Sequence, residues 1–424
     1  MATGWRNRRA STPEGVIRKH HGDRLIIVFT ALLMLVGLLV IYAICPQRAN
    51  LMNSLFGFEY SGGYFFWKQL LSMVLAFVGV WAASLISYNF ILKYGSAVLW
   101  AGFIACAMLA IGGWTGIVEG TNGAVRWIEL GPLGSVQPAE ILKFGVLLYL
   151  AVFLAVRMKE GKINNLKETL MPVAVIASSA LLFVIVIQKD LGTGMSLTAI
   201  VATMLFVAGI NRKIIFGLLG ILIVAGSFLI FTSPHRIERV VTYLQGDSTT
   251  TGDADAYHIQ HAKIAIGSGG LFGVGIGDSV QASGYLPEAI NDSIFAIIGE
   301  TFGFIGTVAL LALFVALLMR LLSVMDHMVD LRLKLLAAGV FGWLGAHVIL
   351  NIAAMIGIFP LTGITLPLLS YGGTSMIFMA AALGLVYQLS KYTVHSSRIK
   401  EATNENSRRG RGVGRTRHAG RRSA

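Results

Sequence analysis

The feature that most restricts this chain is a series of long stretches almost free of charge. Residues 25–45 form the first, 21 residues without Asp, Glu, Lys or Arg, and a helix needs about 20 apolar residues to cross a hydrocarbon core. Similar stretches lie near 69–87, 97–114, 141–156, 170–187, 193–210, 214–231, 294–319, 335–355 and 375–389. Backbone polar groups in lipid have to be satisfied within their own segment, so the pattern predicts an all-α polytopic membrane protein of about ten transmembrane helices. Only 13% of the 424 residues are charged, roughly half the share in soluble domains. That excludes disordered, collagen-like and coiled-coil chains.

The net charge of +13 is then a matter of topology. Of the 34 Lys and Arg, 26 fall at 1–24, at Lys93 and at 157–167, 212–213, 320–334 and 391–424. Those segments hold seven Asp and Glu and sum to +19, and the remainder sums to −6. Basic loops stay cytoplasmic, so both termini are expected inside, and nucleic acid is not expected as a partner. The expected organisation is a basic cytoplasmic tail at 1–24, a membrane domain at 25–391 and a disordered Arg/Gly-rich cytoplasmic tail at 392–424. A large extracytoplasmic loop, 232–292, separates helices 7 and 8. The first apolar run is too long for a cleaved signal peptide and is followed by no small-x-small site. Cys45 and Cys106, both inside apolar runs, read as packing residues.

In so apolar a chain the informative residues are ionisable groups beside or within the spans, and they gather in four clusters. The first runs from Gly123 through Arg126, Trp127 and Gly131-Pro132 to QPAEILK at 137–143. Pro138 suits a first helical turn, which puts Glu140 and Lys143 on one face at i, i+3. The pair reads either as a structural anchor or as part of a charged wall in which Arg126 and Lys143 meet an anionic head group. The second cluster, QKDLGTG at 188–194, contains Gln188 and Asp190; Asp190 is either a helix cap or part of the same site.

The third cluster fills the long loop, from SPHRIER at 233–239 through AIGSGG at 265–270 to YLPEAINDS at 285–293. Its glycines match no phosphate-binding fingerprint. Asp292 stands at the threshold of an apolar helix with Glu288 a turn earlier. It is read either as a cap or as a carboxylate made basic by a partly dry setting, able to take a proton from a hydroxyl. Glu300 fits both a buried structural role and a cavity role. The fourth cluster, 357–375, breaks apolar sequence with two prolines and several glycines around Ser370 and Tyr371. Such backbone is tolerated at membrane depth where it is buried or lines a cavity.

Taken together and in this order, these clusters resemble the SEDS family (shape, elongation, division and sporulation) of polytopic peptidoglycan glycosyltransferases. The resemblance covers roughly 25–391 and rests on RWI at 126–128, QPAEILK, Gln188 with DLGT, AIGSGG, YLPEA and SYGG at 370–373. SVQ at 279–281 followed by YLPEA looks more like the division branch than the elongation branch. The resemblance implies polymerisation of lipid II into β-1,4 glycan strands at the outer face of a bacterial plasma membrane, during septal wall synthesis. Asp292 matches the family's essential aspartate, with the general-base role. Arg126 and Lys143 would neutralise the departing diphosphate. Glu140 and Asp190 would hold those cations or a divalent ion, Mg2+ or Mn2+, and Glu288, Gln188 and Ser370 would complete the substrate site. No other cofactor is implied. Expected partners are a class B penicillin-binding protein (a transpeptidase) and other divisome proteins. A lipid II flippase and a non-catalytic divisome scaffold are the competing readings.

The sequence also departs from the family pattern. Where HTDF is common, this chain has INDS at 290–293; Lys189 replaces a proline, Thr301 a glutamate and Gly284 an acid.

Overall fold

A computed structural model of the chain describes residues 21–115, 125–129, 135–217, 220 and 254–393. The described elements are helices α1 (Arg24–Phe56), α2 (Tyr64–Leu85), α3 (Tyr88–Lys93) and α4 (Gly95–Trp114). A two-stranded antiparallel hairpin follows, β1 (Ile128–Glu129) with β2 (Ser135–Val136), pairing Ile128 with Val136. Then come α5 (Pro138–Lys159), α6 (Leu166–Ile187), α7 (Leu191–Val207), α8 (Ala254–Ser268), α9 (Ile294–Asp326), α10 (Leu331–Met355) and α11 (Gly373–Ser390). Eight of the described helices are long and apolar enough to cross a membrane, and α7 is a shorter apolar helix. These nine coincide with nine of the ten expected spans. Of the tenth, 214–231, only 214–217 and 220 are described.

Helix ends follow local chemistry. Pro138 opens α5, where its missing N–H costs nothing. Asp190 caps α7 by accepting from Thr193 N at 2.9 Å, and Asp330 caps α10 by accepting from Arg332 N at 2.9 Å. Two helices outrun their expected spans. α1 passes Pro46 and Arg48 to end at Gly57, whose φ of 69° makes the left-handed cap. α9 spans 33 residues but is broken at Gly303.

The interior helices are α5, α10 and α11, while α2, α4, α6 and α9 turn much more of their surface outward. Small residues set the closest approaches, as membrane helices require in the absence of a hydrophobic drive between them. A Cβ at Gly102 would come within 2.6 Å of the Leu142 Cα, and one at Gly145 within 2.5 Å of the Leu99 Cα, so α4 and α5 touch backbone to backbone.

The stretch read as one long loop holds a helix: α8 lies within 232–292 and packs on α9. Its AIGSGG end fits into the break in α9. Val274 N donates to the Glu300 carbonyl at 2.9 Å, and Phe304 N donates to the Gly270 carbonyl at 2.8 Å. Backbone groups freed at Gly303 are thereby satisfied. The residues at 233–239 lie outside those described, as do Gly123, 131–132 and both tails apart from 21–24 and 392–393. Cys45 and Cys106 are buried and unpaired, in keeping with a packing role.

Candidate active site

Four helices begin around one cavity of about 630 Å³. Gln137 and Glu140 come from the start of α5, Asp190 and Thr193 from α7, Asn291 and Asp292 from the approach to α9, and Gly372 to Ser375 from α11. Helix N-termini carry partial positive charge and free N–H groups, so their convergence favours an anion. Arg126 and Lys68 add full charges to the wall. Basic ion pairs occupy the other ends of the helices: Arg157 with Glu160 at 2.8 Å, Lys162 with Glu168 at 2.6 Å and Arg320 with Asp23 at 2.6 Å.

Asp292 is largely buried and lines the cavity. It stands one residue before Ser293, the residue at the N-cap position of α9. Its backbone is held firmly. Asn351 Nδ2 donates to the Asp292 carbonyl and to the Ile364 carbonyl, each at 2.7 Å. Ser293 Oγ donates to the Pro287 carbonyl at 2.9 Å and lies 2.5 Å from His258 Nε2. Tyr371 N donates to the Ile290 carbonyl at 2.7 Å, joining the fourth cluster to the third. The altered residues Asn291 and Ser293 are part of this support: Asn291 Nδ2 donates to Glu288.

Arg126 is fixed by carbonyls of the second cluster. Its Nε donates to Gln188 O at 3.2 Å and a terminal nitrogen to Lys189 O at 2.7 Å. Asp190 pairs with neither Arg126 nor Lys143, the cations it was expected to hold. Its Oδ2 accepts from Gln137 Nε2 at 3.0 Å and Thr193 Oγ1 at 2.8 Å, tying α5 to α7.

Arg126, Glu140, Asp190, Glu288 and Asp292 all line the cavity. Lys143, Gln188 and Ser370 do not, and the expectation for each is corrected. Lys143 is fully buried behind Glu140, with Nζ 2.8 Å from Oε1 and 4.7 Å from the Trp343 ring centroid, so it balances the carboxylate from within and touches no head group. The Gln188 side chain is buried away from the cavity, and the residue serves through its carbonyl. Ser370 Oγ accepts from Leu366 N at 2.8 Å and shapes the broken segment 356–372. Glu300 is structural: Oε2 accepts from Ser279 Oγ at 2.5 Å and Oε1 from Val280 N at 3.0 Å.

Two cavity residues escaped the sequence reading. Lys68 sits one residue before a buried glutamine in an apolar helix, and His347 lies inside a span. An ionisable group within a span was the available signal for both. Among the described residues no three His, Cys, Asp or Glu side chains come together as a metal site. The carboxylates are spread around the walls, so the described residues alone offer no ligand set for the divalent ion.

Fold and site together define a polytopic helical membrane protein whose interrupted backbone and helix N-termini surround a polar cavity. The sequence matches the family described as "Cell cycle protein", that of FtsW, RodA and SpoVE, over residues 23–395, and the chain belongs to that family. It is 33% identical over 379 residues to stage V sporulation protein E of Bacillus subtilis, covering 89% of this chain and 99% of that protein. It is also 33% identical over 376 residues to the probable peptidoglycan glycosyltransferase FtsW of Coxiella burnetii, covering 88% and 96%. Solved structures share the fold. A chain of a peptidoglycan synthase complex, described for its coordination of polymerization and crosslinking, matches at TM-score 0.65 and 24% identity over 87% of this chain and 97% of that one. RodA of Thermus thermophilus matches at 0.63 and 24% over 88% and 98%.

Proposed function

We propose that this protein is a peptidoglycan glycosyltransferase that polymerises lipid II, with Asp292 as general base. The observation carrying the reading is the convergence of four helix N-termini, Arg126 and Lys68 on a cavity that also holds Asp292. Such a site suits a diphosphate leaving group beside a proton acceptor. The acceptor sugar's 4-hydroxyl oxygen bonds to the donor's anomeric carbon, and its proton passes to Asp292. The bond from that carbon to the diphosphate breaks, and the electron pair leaves with the diphosphate. One in-line displacement turns the α-linked donor into a β-1,4 product. Lys143 acts in this reading by holding Glu140 in place through their 2.8 Å contact.

Orientation supports the same reading. Basic ion pairs at the far ends of the helices favour a cytoplasmic face there, in support of a cavity on the outer side, both termini inside and a membrane domain at 25–391 between two cytoplasmic tails. The FtsW relative, named as a probable peptidoglycan glycosyltransferase, supports glycan polymerisation; its use in septal wall synthesis during division is part of the proposal. The synthase-complex neighbour supports pairing with a class B penicillin-binding protein within the divisome.

The test supplies purified protein and its transpeptidase partner with lipid II, beside Asp292→Asn. Glycan strands from the wild type and a loss of at least about a hundredfold in the variant are expected, the scale of a general base. Equal polymer from both sinks the base assignment. Lipid transfer across vesicles without polymer from the wild type replaces the enzyme with a carrier.

A further inference from the structure

Among the described cavity-wall residues, Glu140 and His347 each hold a buried acceptor atom with no protein hydrogen-bond partner. Glu140 lines the cavity and is 2% exposed; its Oε1 takes Lys143, while its Oε2 has no hydrogen-bond partner. His347 also lines the cavity, is 4% exposed, and has no partner for Nε2. The other ring nitrogen guides the assignment of the tautomer. Nδ1 lies 3.3 Å from the Thr365 carbonyl, which only accepts, so the proton is assigned to Nδ1, which leaves Nε2 to present a lone pair.

Lys143 connects the two. It pairs with Glu140 and lies over Trp343, one helical turn before His347 on α10. An unmet buried polar atom costs about 1–3 kcal/mol, and natural structures keep few of them without a reason. The neighbouring Asp190 shows the contrast, since both its oxygens are engaged. A pair of acceptors calls for a ligand rich in donors. A diphosphate carries none at neutral pH, whereas an N-acetylated sugar ring offers hydroxyls and an amide N–H.

We propose that Glu140 Oε2 and His347 Nε2 form a paired-acceptor subsite for the hydroxyl and amide N–H donors of one amino-sugar ring of the substrate, with His347 a binding residue for this reaction. The inference rests on the glycosyltransferase reading and adds which part of the substrate these walls hold. The competing occupant of two acceptors is a divalent cation.

The experiment compares wild type, His347→Leu, His347→Gln and the charge-balanced double variant Glu140→Leu with Lys143→Met for binding of lipid II and of undecaprenyl diphosphate, which has the same lipid and diphosphate but no sugar. His347→Leu and the double variant are expected to weaken lipid II binding about tenfold, the effect of one lost hydrogen bond, and to leave undecaprenyl diphosphate unchanged. His347→Gln, which restores an acceptor, recovers most of the affinity. The melting temperature of His347→Leu should hold or rise, because an unpaired buried atom is removed. Equal loss of both ligands, or no loss of either, overturns the subsite while leaving the enzyme reading intact. Loss of Mn2+ binding in His347→Leu with lipid II affinity unchanged assigns the pair to a cation and also overturns it. A wild type that binds no lipid II removes the glycosyltransferase reading and the subsite with it.

Discussion

Lys143 is an ammonium group wholly out of contact with water, balanced by one carboxylate oxygen and one indole face. Removing one partner of such a pair leaves a buried charge, at a cost of about 3–5 kcal/mol. Lys143→Met should therefore lower the melting temperature in detergent markedly, and the double variant Lys143→Met with Glu140→Gln should recover most of the loss. Independent, additive losses would show that the pair does not act as a unit. At this scale the i, i+3 spacing made the Glu140–Lys143 contact legible. The direction of Lys143 was not, since Trp343, which receives it, lies 200 positions away in sequence. Asp292 was legible as an acid at a helix threshold, but only the fold placed it on the cavity wall.

Among the elements, α9 shows most clearly how a break is built. Gly303 has φ 67° and ψ −163°, a conformation open essentially to glycine, and a Cβ there would overlap the Gly273 amide. Gly303→Ala should destabilise by at least about 2 kcal/mol from strain and overlap together, read as a fall in melting temperature. A melting temperature equal to wild type would mean that the 270–275 segment can move aside at no cost. Glycines at 267–277 marked an irregular segment in the sequence. Their reason, a backbone seated in the gap of another helix, belonged to the pairing of α8 with α9. The helix α8 itself was passed over because its charged and polar residues at 255–263 gave it no apolar run.

At the scale of the whole molecule, the ion pairs of Arg157, Lys162 and Arg320 sit at the end of the bundle opposite the cavity. Glu59, exposed near the start of α2, and Lys162, exposed between α5 and α6, mark those ends. Cys45 and Cys106 are buried at 1% and 0% exposure, so introduced cysteines can be read against a low background. In intact cells Glu59→Cys should react with a membrane-impermeant maleimide, and Lys162→Cys only after permeabilisation. The reverse pattern would invert the orientation and put the cavity on the cytoplasmic side.

The sequence by itself determined the class of molecule and its orientation signal, because both follow from local quantities: runs long enough for a bilayer and basic residues counted loop by loop. It also marked the four polar clusters, since ionisable groups are rare and costly in such a chain. The tertiary structure decided which of those residues share a cavity. Arg126, Glu140, Asp190, Glu288 and Asp292 meet there, Lys143, Gln188 and Ser370 turn away, and Lys68 and His347 join from helices that carried no motif. That outcome depends on which face each helix presents to its neighbours, and helix packing fixes it through contacts far apart in sequence.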